Sequence, residues 1–250
     1  MKKIIIAASM LAATFAANAQ DPSLAPTRLY KPVAGNVTAE IGFITGGIAA
    51  NPTELQNNSF GTPQLKFRYF LQDQIALRVG FAFNQSATTE RFYEAKPGSG
   101  TGFAKNAYSQ FGLTAGLEKH FTGTGRLSTY AGADVCFQKN SASTKWENSD
   151  GNGFVDGQTR KTKGFNSNAG ENGSFGFGLR AIAGADYYFV EKVYLGAEFG
   201  WGFIASKDSK TKLEETIGGV TADPVEIEST GGSFELAPNL TAGLRLGFIF

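Results

Sequence analysis

Leu244-Arg245-Leu246-Gly247-Phe248-Ile249-Phe250 closes the chain and decides how the rest is read. Counting back in twos from Phe250 meets Phe248, Leu246, Leu244 and Ala242, while Gly243, Arg245 and Gly247 fall between them. Successive side chains of a strand point to opposite faces, so this segment is a strand with one apolar face and one face that mixes a charge with glycine.

The same period of two recurs upstream, and helical periodicity is nearly absent after residue 20. Strands are expected at 37–45, 64–71, 75–84, 108–120, 127–138, 174–189, 193–203 and 233–250, eight in all. Their connections alternate in length. Three are short (72–74, 122–126 and 190–192) and four are long (46–62, 85–106, 139–173 and 204–232). Tight turns at one end, long loops at the other and an even strand number are the pattern of a transmembrane antiparallel up-and-down β-barrel in an outer membrane. Both termini and the short turns then face the periplasm, and four long loops are extracellular.

Alternation alone does not separate such a barrel from a soluble one with a wet exterior, so the polar face has to decide. Eleven strand charges share it by register: Glu40, Lys66, Arg68, Arg78, Glu118, Asp134, Arg180, Asp186, Glu198, Glu235 and Arg245. Only Lys119 falls on the apolar face, near a strand end where its stem can reach the interface. A Lys or Arg facing lipid at mid-depth costs roughly 2–4 kcal/mol, so this segregation suits an apolar face that meets lipid. The charged face also carries many of the 32 glycines, including Gly42, Gly116, Gly184, Gly196 and Gly247. Glycine weakens a solvated strand, but inside a narrow barrel it makes room for long neighbours. Six acidic and five basic residues are therefore expected to pair as a lumen network, which favours a packed interior over ion conduction.

The ends and the composition agree with export. Met1-Lys2-Lys3, an apolar run from Ile4 to Phe15 and Ala17-Asn18-Ala19 read as a signal peptide over 1–19, followed by a short periplasmic segment over 20–34 and the barrel over 35–250. Of 23 Lys and Arg, the leader removes two, leaving 21 against 22 acidic residues. That balance excludes the basic footprint of a nucleic-acid binder. The single Cys136 leaves the fold without an internal disulfide.

The segment Gly184-Ala185-Asp186-Tyr187-Tyr188-Phe189, its turn, and Val193-Tyr194-Leu195-Gly196-Ala197-Glu198-Phe199, together with the terminal strand, resemble the small outer-membrane β-barrel family of the OmpA transmembrane domain and OmpX, in the versions abundant in Bacteroidetes. The resemblance implies an outer-membrane location in a Gram-negative bacterium, contact with lipid and lipopolysaccharide, and reading of the last strand by the barrel-assembly machinery. Leu244, Leu246, Phe248 and Phe250 match the family's terminal signal.

Catalysis finds little support. The one histidine, His120, falls at the periplasmic end of its strand on the lumen face, where it reads as a polar plug, and spacing suggests no Ser/His/Asp set. No cofactor is expected, with one exception to weigh. In Asn148-Ser149-Asp150-Gly151-Asn152-Gly153-Phe154-Val155-Asp156, the oxygens of Asn148, Asp150, Asn152 and Asp156 fall at positions 1, 3, 5 and 9 of a calcium loop. Asn148 at position 1 and Thr159 at position 12 depart from that pattern, so an Asn/Asp/Gly turn competes with a weak calcium site.

Tyr187, Tyr188, Phe189, Phe121, Phe248 and Phe250 are expected in a periplasmic aromatic belt, with Phe83, Phe137, Phe175, Trp201, Phe203 and Phe234 in its outer counterpart. Phe92, Tyr93, Trp146, Phe154 and Phe165 are read as freer loop aromatics for a protein or glycan partner. The functional expectation is a non-enzymatic structural and surface-interaction barrel, with a narrow porin-like or OmpW-like channel as the alternative.

Overall fold

The computed structural model describes residues 30–45, 63–93, 100–150, 153–166, 171–229, 231–237 and 242–250. The signal peptide expected over 1–19 lies outside them, as do residues 20–29 of the segment after it. The described elements are all strands: β1 Val37–Thr45, β2 Pro63–Gln72, β3 Ile75–Tyr93, β4 Thr101–His120, β5 Leu127–Ser149, β6 Phe154–Lys163, β7 Phe165–Asn166 and β8 Glu171–Asn172. They continue with β9 Ser174–Val190, β10 Val193–Asp208, β11 Thr211–Ile217, β12 Val220–Thr221, β13 Val225–Ile227, β14 Gly232–Ala237 and β15 Ala242–Ile249.

Eight of these close a ring. β1 pairs with β2, then β3, β4, β5, β9, β10 and β15 follow in turn, and β15 returns to β1 with Thr38 opposite Ile249 and Gly42 opposite Arg245. Every contact in the ring is antiparallel, so closure leaves no open edge at membrane level. The wall has the faces its alternation requires. Leu65, Phe67, Tyr69 and Leu71 on β2, and Leu244, Leu246, Phe248 and Phe250 at the C-terminus, are exposed, while Lys66, Arg68, Arg245 and Gly247 between them are buried. An outside this apolar around a charged inside is the arrangement of a wall facing lipid.

Glycine sets how closely the inward side chains pack. A Cβ at Gly184 would collide with the Tyr130 hydroxyl, one at Gly196 with the Asp186 carboxylate, and one at Gly247 with the Tyr194 ring. Their strands run on because neighbouring ladders supply the backbone hydrogen bonds, and the missing side chain is the space the neighbour occupies.

Two boundaries differ from expectation. Residues expected as loops over 85–106, 139–173 and 204–232 are largely strand: β3, β4 and β5 run to 19, 20 and 23 residues, where a spanning strand needs only about 9–11. Beyond Phe83 and Phe111 the ladder continues through Ser, Thr, Ala and Lys. With no apolar face, the alternation signal stops while the hydrogen bonding does not. The eighth strand, expected as one run over 233–250, pairs with β10 in two stretches, β14 and β15, whose registers are offset by two residues. An offset of two keeps the inside and outside parity.

At the outer end β5 changes neighbour. It pairs with β9 as far as Asn140 opposite Ser174, and with β6 from Ser143 opposite Lys163. Gly164 bridges the gap at φ +89°, donating to the Ala142 carbonyl and accepting from the Gly173 amide. This φ favours glycine, and the Lys210 carbonyl leaves no room for a Cβ. β6 and β11 then extend β3, β4 and β5 into a projecting sheet. At the short-turn end, residues 30–36 lie against the mouth: Gly35 donates to the Phe70 carbonyl, Ala34 to Asp73, and Tyr30 stacks on the Arg126 guanidinium at 4.8 Å.

Adding volume inside should cost far more than adding it outside. Gly196→Val should lose about 1–3 kcal/mol by overpacking against Asp186 and Arg245, while Ala197→Val on the exposed face should stay near neutral. Urea midpoints of the refolded proteins, read by heat-modifiable gel mobility, check the contrast.

Candidate functional site

All eight ring strands contribute to one charged layer. β1 supplies Glu40, β2 Lys66 and Arg68, β3 Arg78, β4 Glu118, β5 Asp134, β9 Arg180 and Asp186, β10 Glu198 and β15 Arg245. These are five acids and five bases. Three arginines do most of the joining. Arg68 Nε lies 2.5 Å from Glu40 and 3.0 Å from Glu118, and its Nη1 lies 2.6 Å from Asp186. Arg78 reaches Glu118 at 2.9 Å, Asp134 at 3.0 Å and Glu198 at 2.8 Å. Arg245 reaches Glu40 at 2.7 Å, Asp186 at 2.9 Å and Glu198 at 3.3 Å, and donates to the Tyr130 hydroxyl. Lys66 adds Glu198 at 2.8 Å, and Arg180 caps Asp134 at 2.6 Å.

Eight of the ten residues are no more than 4% exposed, which closes the lumen at this level. Such a layer is tolerable because each charge has partners. Taking one away leaves the others buried without compensation. Of the eleven residues read as lumen charges, the structure brings these ten together. Glu235 sits opposite Ile204 in the β10–β14 ladder, and its side chain lies outside the described residues.

Above the layer, a cavity of about 230 Å³ is lined by Gly80, Gly112, Thr114, Cys136, Arg180 and Ile204, among others. Below it, Tyr188, Tyr194 and Ile249 pack together with Tyr30 against them, the two tyrosine rings 5.0 Å apart. Tyr188 is thus an inward plug, a correction to its place in the aromatic belt: even-numbered positions of β9 face inward, as Asp186 does. Tyr130, whose hydroxyl donates to Glu198 at 2.7 Å, and Tyr194 stand inward beside the charges, a placement that their parity with Gly132 and Gly196 carries but their residue type does not signal.

His120 does plug the short-turn end, at 3% exposure. The structure also brings it into a chain that spacing did not suggest: Nδ1 is 2.9 Å from Ser128 Oγ, and Nε2 is 2.9 Å from Glu118 Oε1. The residue types are those of a hydrolase triad, but Glu118 is shared with two arginines and the ring nitrogens are used in the reverse sense to a serine protease, where Nε2 faces the nucleophile. The chain reads as hydrogen-bond satisfaction around a buried imidazole.

In the loop read against the calcium pattern, Asn148 has φ 46° and its Oδ1 accepts from the Gly157 amide at 3.2 Å, while Asp150 Oδ1 accepts from Gly153 at 3.0 Å. Both oxygens serve the turn itself. Asn152 lies outside the described residues, Asp156 stands two residues into β6, and no group of three His, Cys, Asp or Glu among the described residues could hold a metal. Of the aromatics read as free, only Tyr93 is well exposed; Phe92, Trp146 and Phe154 are partly buried in the projecting sheet, and Phe165 is partly buried in the β7–β8 pair.

A closed antiparallel ring with an apolar outside and a charge-paired inside defines an integral outer-membrane β-barrel. Residues 50–202 match the OmpA-OmpF-like porin family, and the chain belongs to it; its place is the outer membrane of a Gram-negative bacterium. No curated protein matches the sequence. Among solved structures, the chain is similar to the N-terminal β-barrel domain of Pseudomonas aeruginosa OprF, with 15% identity, 88% of this chain and 100% of that chain covered and a TM-score of 0.36. A major outer membrane protein of Thermus thermophilus is 12% identical, with coverage of 86% and 98% and a TM-score of 0.46. OprG of P. aeruginosa is 11% identical, with coverage of 89% and 99% and a TM-score of 0.43.

The three-way pairing of Arg78 makes a sharp prediction. Arg78→Met should destabilise the barrel by about 3–5 kcal/mol, as removal of one partner from a buried ion set does. Lys145→Met, which breaks an exposed pair with Glu147, should cost less than about 1 kcal/mol. Denaturant midpoints of the two refolded variants decide it.

Proposed function

We propose that this barrel is non-conducting and non-enzymatic, that it reinforces the envelope, and that its projecting β3–β4–β5–β6–β11 sheet is the surface that meets partners outside the cell. The buried, mutually paired charge layer carries this reading. An ion entering from the upper cavity meets guanidinium and carboxylate groups that already satisfy one another, and it would have to separate at least one pair to proceed. Ser128 and His120 belong to the plug beneath that layer and line, with Phe70, Lys31 and Val33, a cavity of about 300 Å³. In planar bilayers the refolded protein should hold a closed baseline; reproducible single-channel openings would overturn the reading. They would favour the narrow porin-like alternative, to which the glycine-lined cavity around Arg180 lends an outer vestibule.

We infer, too, that the outward row Leu244, Leu246, Phe248 and Phe250 is what the barrel-assembly machinery reads. These side chains are exposed on the last strand while Ile249 is buried beneath them, so their removal takes little from the packing. Deletion of Phe250 should lower insertion in cells several-fold and leave the unfolding midpoint of refolded protein nearly unchanged. A parallel fall in both would make it a packing residue instead.

A further inference from the structure

Residues 31–33, the β2–β3 turn and the β4–β5 turn enclose the cavity of about 300 Å³ at the short-turn end, which faces the periplasm. It runs inward from the exposed Asp73, Gln74, Thr122 and Gly123 to the buried Phe70 and His120. Its volume is at the small end of ligand pockets, which span roughly 300–1,000 Å³. Lys31 stands half-buried in the wall, and its ammonium lies beside the β4–β5 turn, since a Cβ on Gly123 would come 3.7 Å from its Nζ. Burial holds the Lys31 pKa below its usual value, and no carboxylate among the described residues pairs with the ammonium to offset this. The one acid in the lining, Asp73, serves the 30–36 segment instead, its Oδ1 accepting from the Ala34 amide at 3.0 Å. A half-buried charge without a counter-charge is costly, and here it borders a concavity open to water.

The turn beside Lys31 adds donors of its own. The backbone amides of Thr122, Gly123, Thr124 and Gly125 make no hydrogen bond among the described residues. The Thr124 hydroxyl accepts from the Leu127 amide at 3.1 Å, and the Thr122 hydroxyl accepts from Gln74 at 3.5 Å, so each keeps its own O–H to donate. Gly123 is required here, because a Cβ would strike the Leu127 carbonyl. Unused amides and hydroxyls around one ammonium are the means by which backbone nests capture a terminal carboxylate. A single ammonium suits a single negative charge, whereas a phosphate dianion would also meet the Asp73 carboxylate. Val33 and Phe70 offer an apolar wall for a side chain, and Gln74 offers an amide that both donates and accepts, which matches a peptide group better than an alkyl chain.

We propose that this cavity binds the C-terminal carboxylate of a short peptide entering from the periplasm, with the carboxylate held between Lys31 and the 122–125 turn and the last side chain against Val33 and Phe70. The site lies beneath the plug, at the opposite end of the barrel from the projecting sheet, so it stands whether or not the lumen conducts.

The test uses the full mature chain, refolded in detergent and confirmed as folded by its mobility shift, with binding measured by isothermal titration calorimetry. Acetyl-trialanine is the probe, set beside its C-terminal amide, octanoate and inorganic phosphate. Wild type should bind acetyl-trialanine roughly tenfold or more tightly than each of the other three, the worth of one charge-assisted hydrogen bond. Lys31→Met should lose that margin, Lys31→Arg should keep binding, and Lys119→Met, exposed on the outward face at the same end of β4, should change nothing. Amide resonances of Gly123 and Gly125 should shift on titration. Equal binding of acid and amide, no loss in Lys31→Met, or no saturable binding of acetyl-trialanine would overturn the site. Octanoate or phosphate binding as tightly would overturn the peptide as its ligand. The same three residues placed at the end of a folded carrier protein separate the sources. Binding of the free peptide alone supports a site for peptide fragments, binding of both supports one that also takes protein tails, and binding of the carrier alone would overturn the short peptide as ligand.

Discussion

A wall with lipid on one side leaves a charged side chain only one direction in which to point. In an eight-stranded ring that direction leads into a space barely wide enough for the side chains themselves, so charges from every strand are forced into contact. Pairing is then a condition of having any charge in the barrel. Arg68, Arg78 and Arg245, each contacting three carboxylates, are the solution this chain adopts. The glycines follow from it, since Gly196 stands where Asp186 and Arg245 need space. So do the tyrosines, which seal the layer from below and turn a hydroxyl toward it, as Tyr130 does toward Glu198.

The ring was legible because its two solvents are so different. Phe248 and Arg245 cannot exchange faces without large cost, and a strand repeating that contrast announces its register. The same logic located ten residues of the charge layer and the inward side of His120. It could not say which acid meets which base, because partners such as Arg78 and Glu198 sit on strands far apart in sequence and meet only across the closed lumen. Nor could it place Ser128 beside His120, which depends on the turn between β4 and β5 bringing two strand ends level.

Outside the membrane the contrast vanishes, and with it the sequence signal that separates strand from loop. Water bathes both faces of β3 at Thr88 and Thr89, so nothing in their order distinguishes strand from loop, yet the β3–β4 ladder continues to Tyr93 and Thr101. The cross-strand alignment of the projecting sheet is hidden for a related reason. Lys105, Lys145 and Lys161 stand far apart in the sequence, and only the registers of two ladders align them. Tyr188 shows the converse: residue type near a membrane boundary points to the aromatic belt, while parity with Asp186 places it inside.

The ion pair between Glu40 and Arg245 joins the first barrel strand to the last across 205 residues. Until the final strand arrives, the carboxylate on β1 lacks one of its partners, and Arg68 is left to serve it alone with Lys66 further off. A half-built sheet therefore carries an electrical fault at its seam as well as two raw edges. Contacts of such long sequence separation are slow to form, and the clasp between the first and last barrel strands is the one that turns a charged ribbon into a closed cylinder.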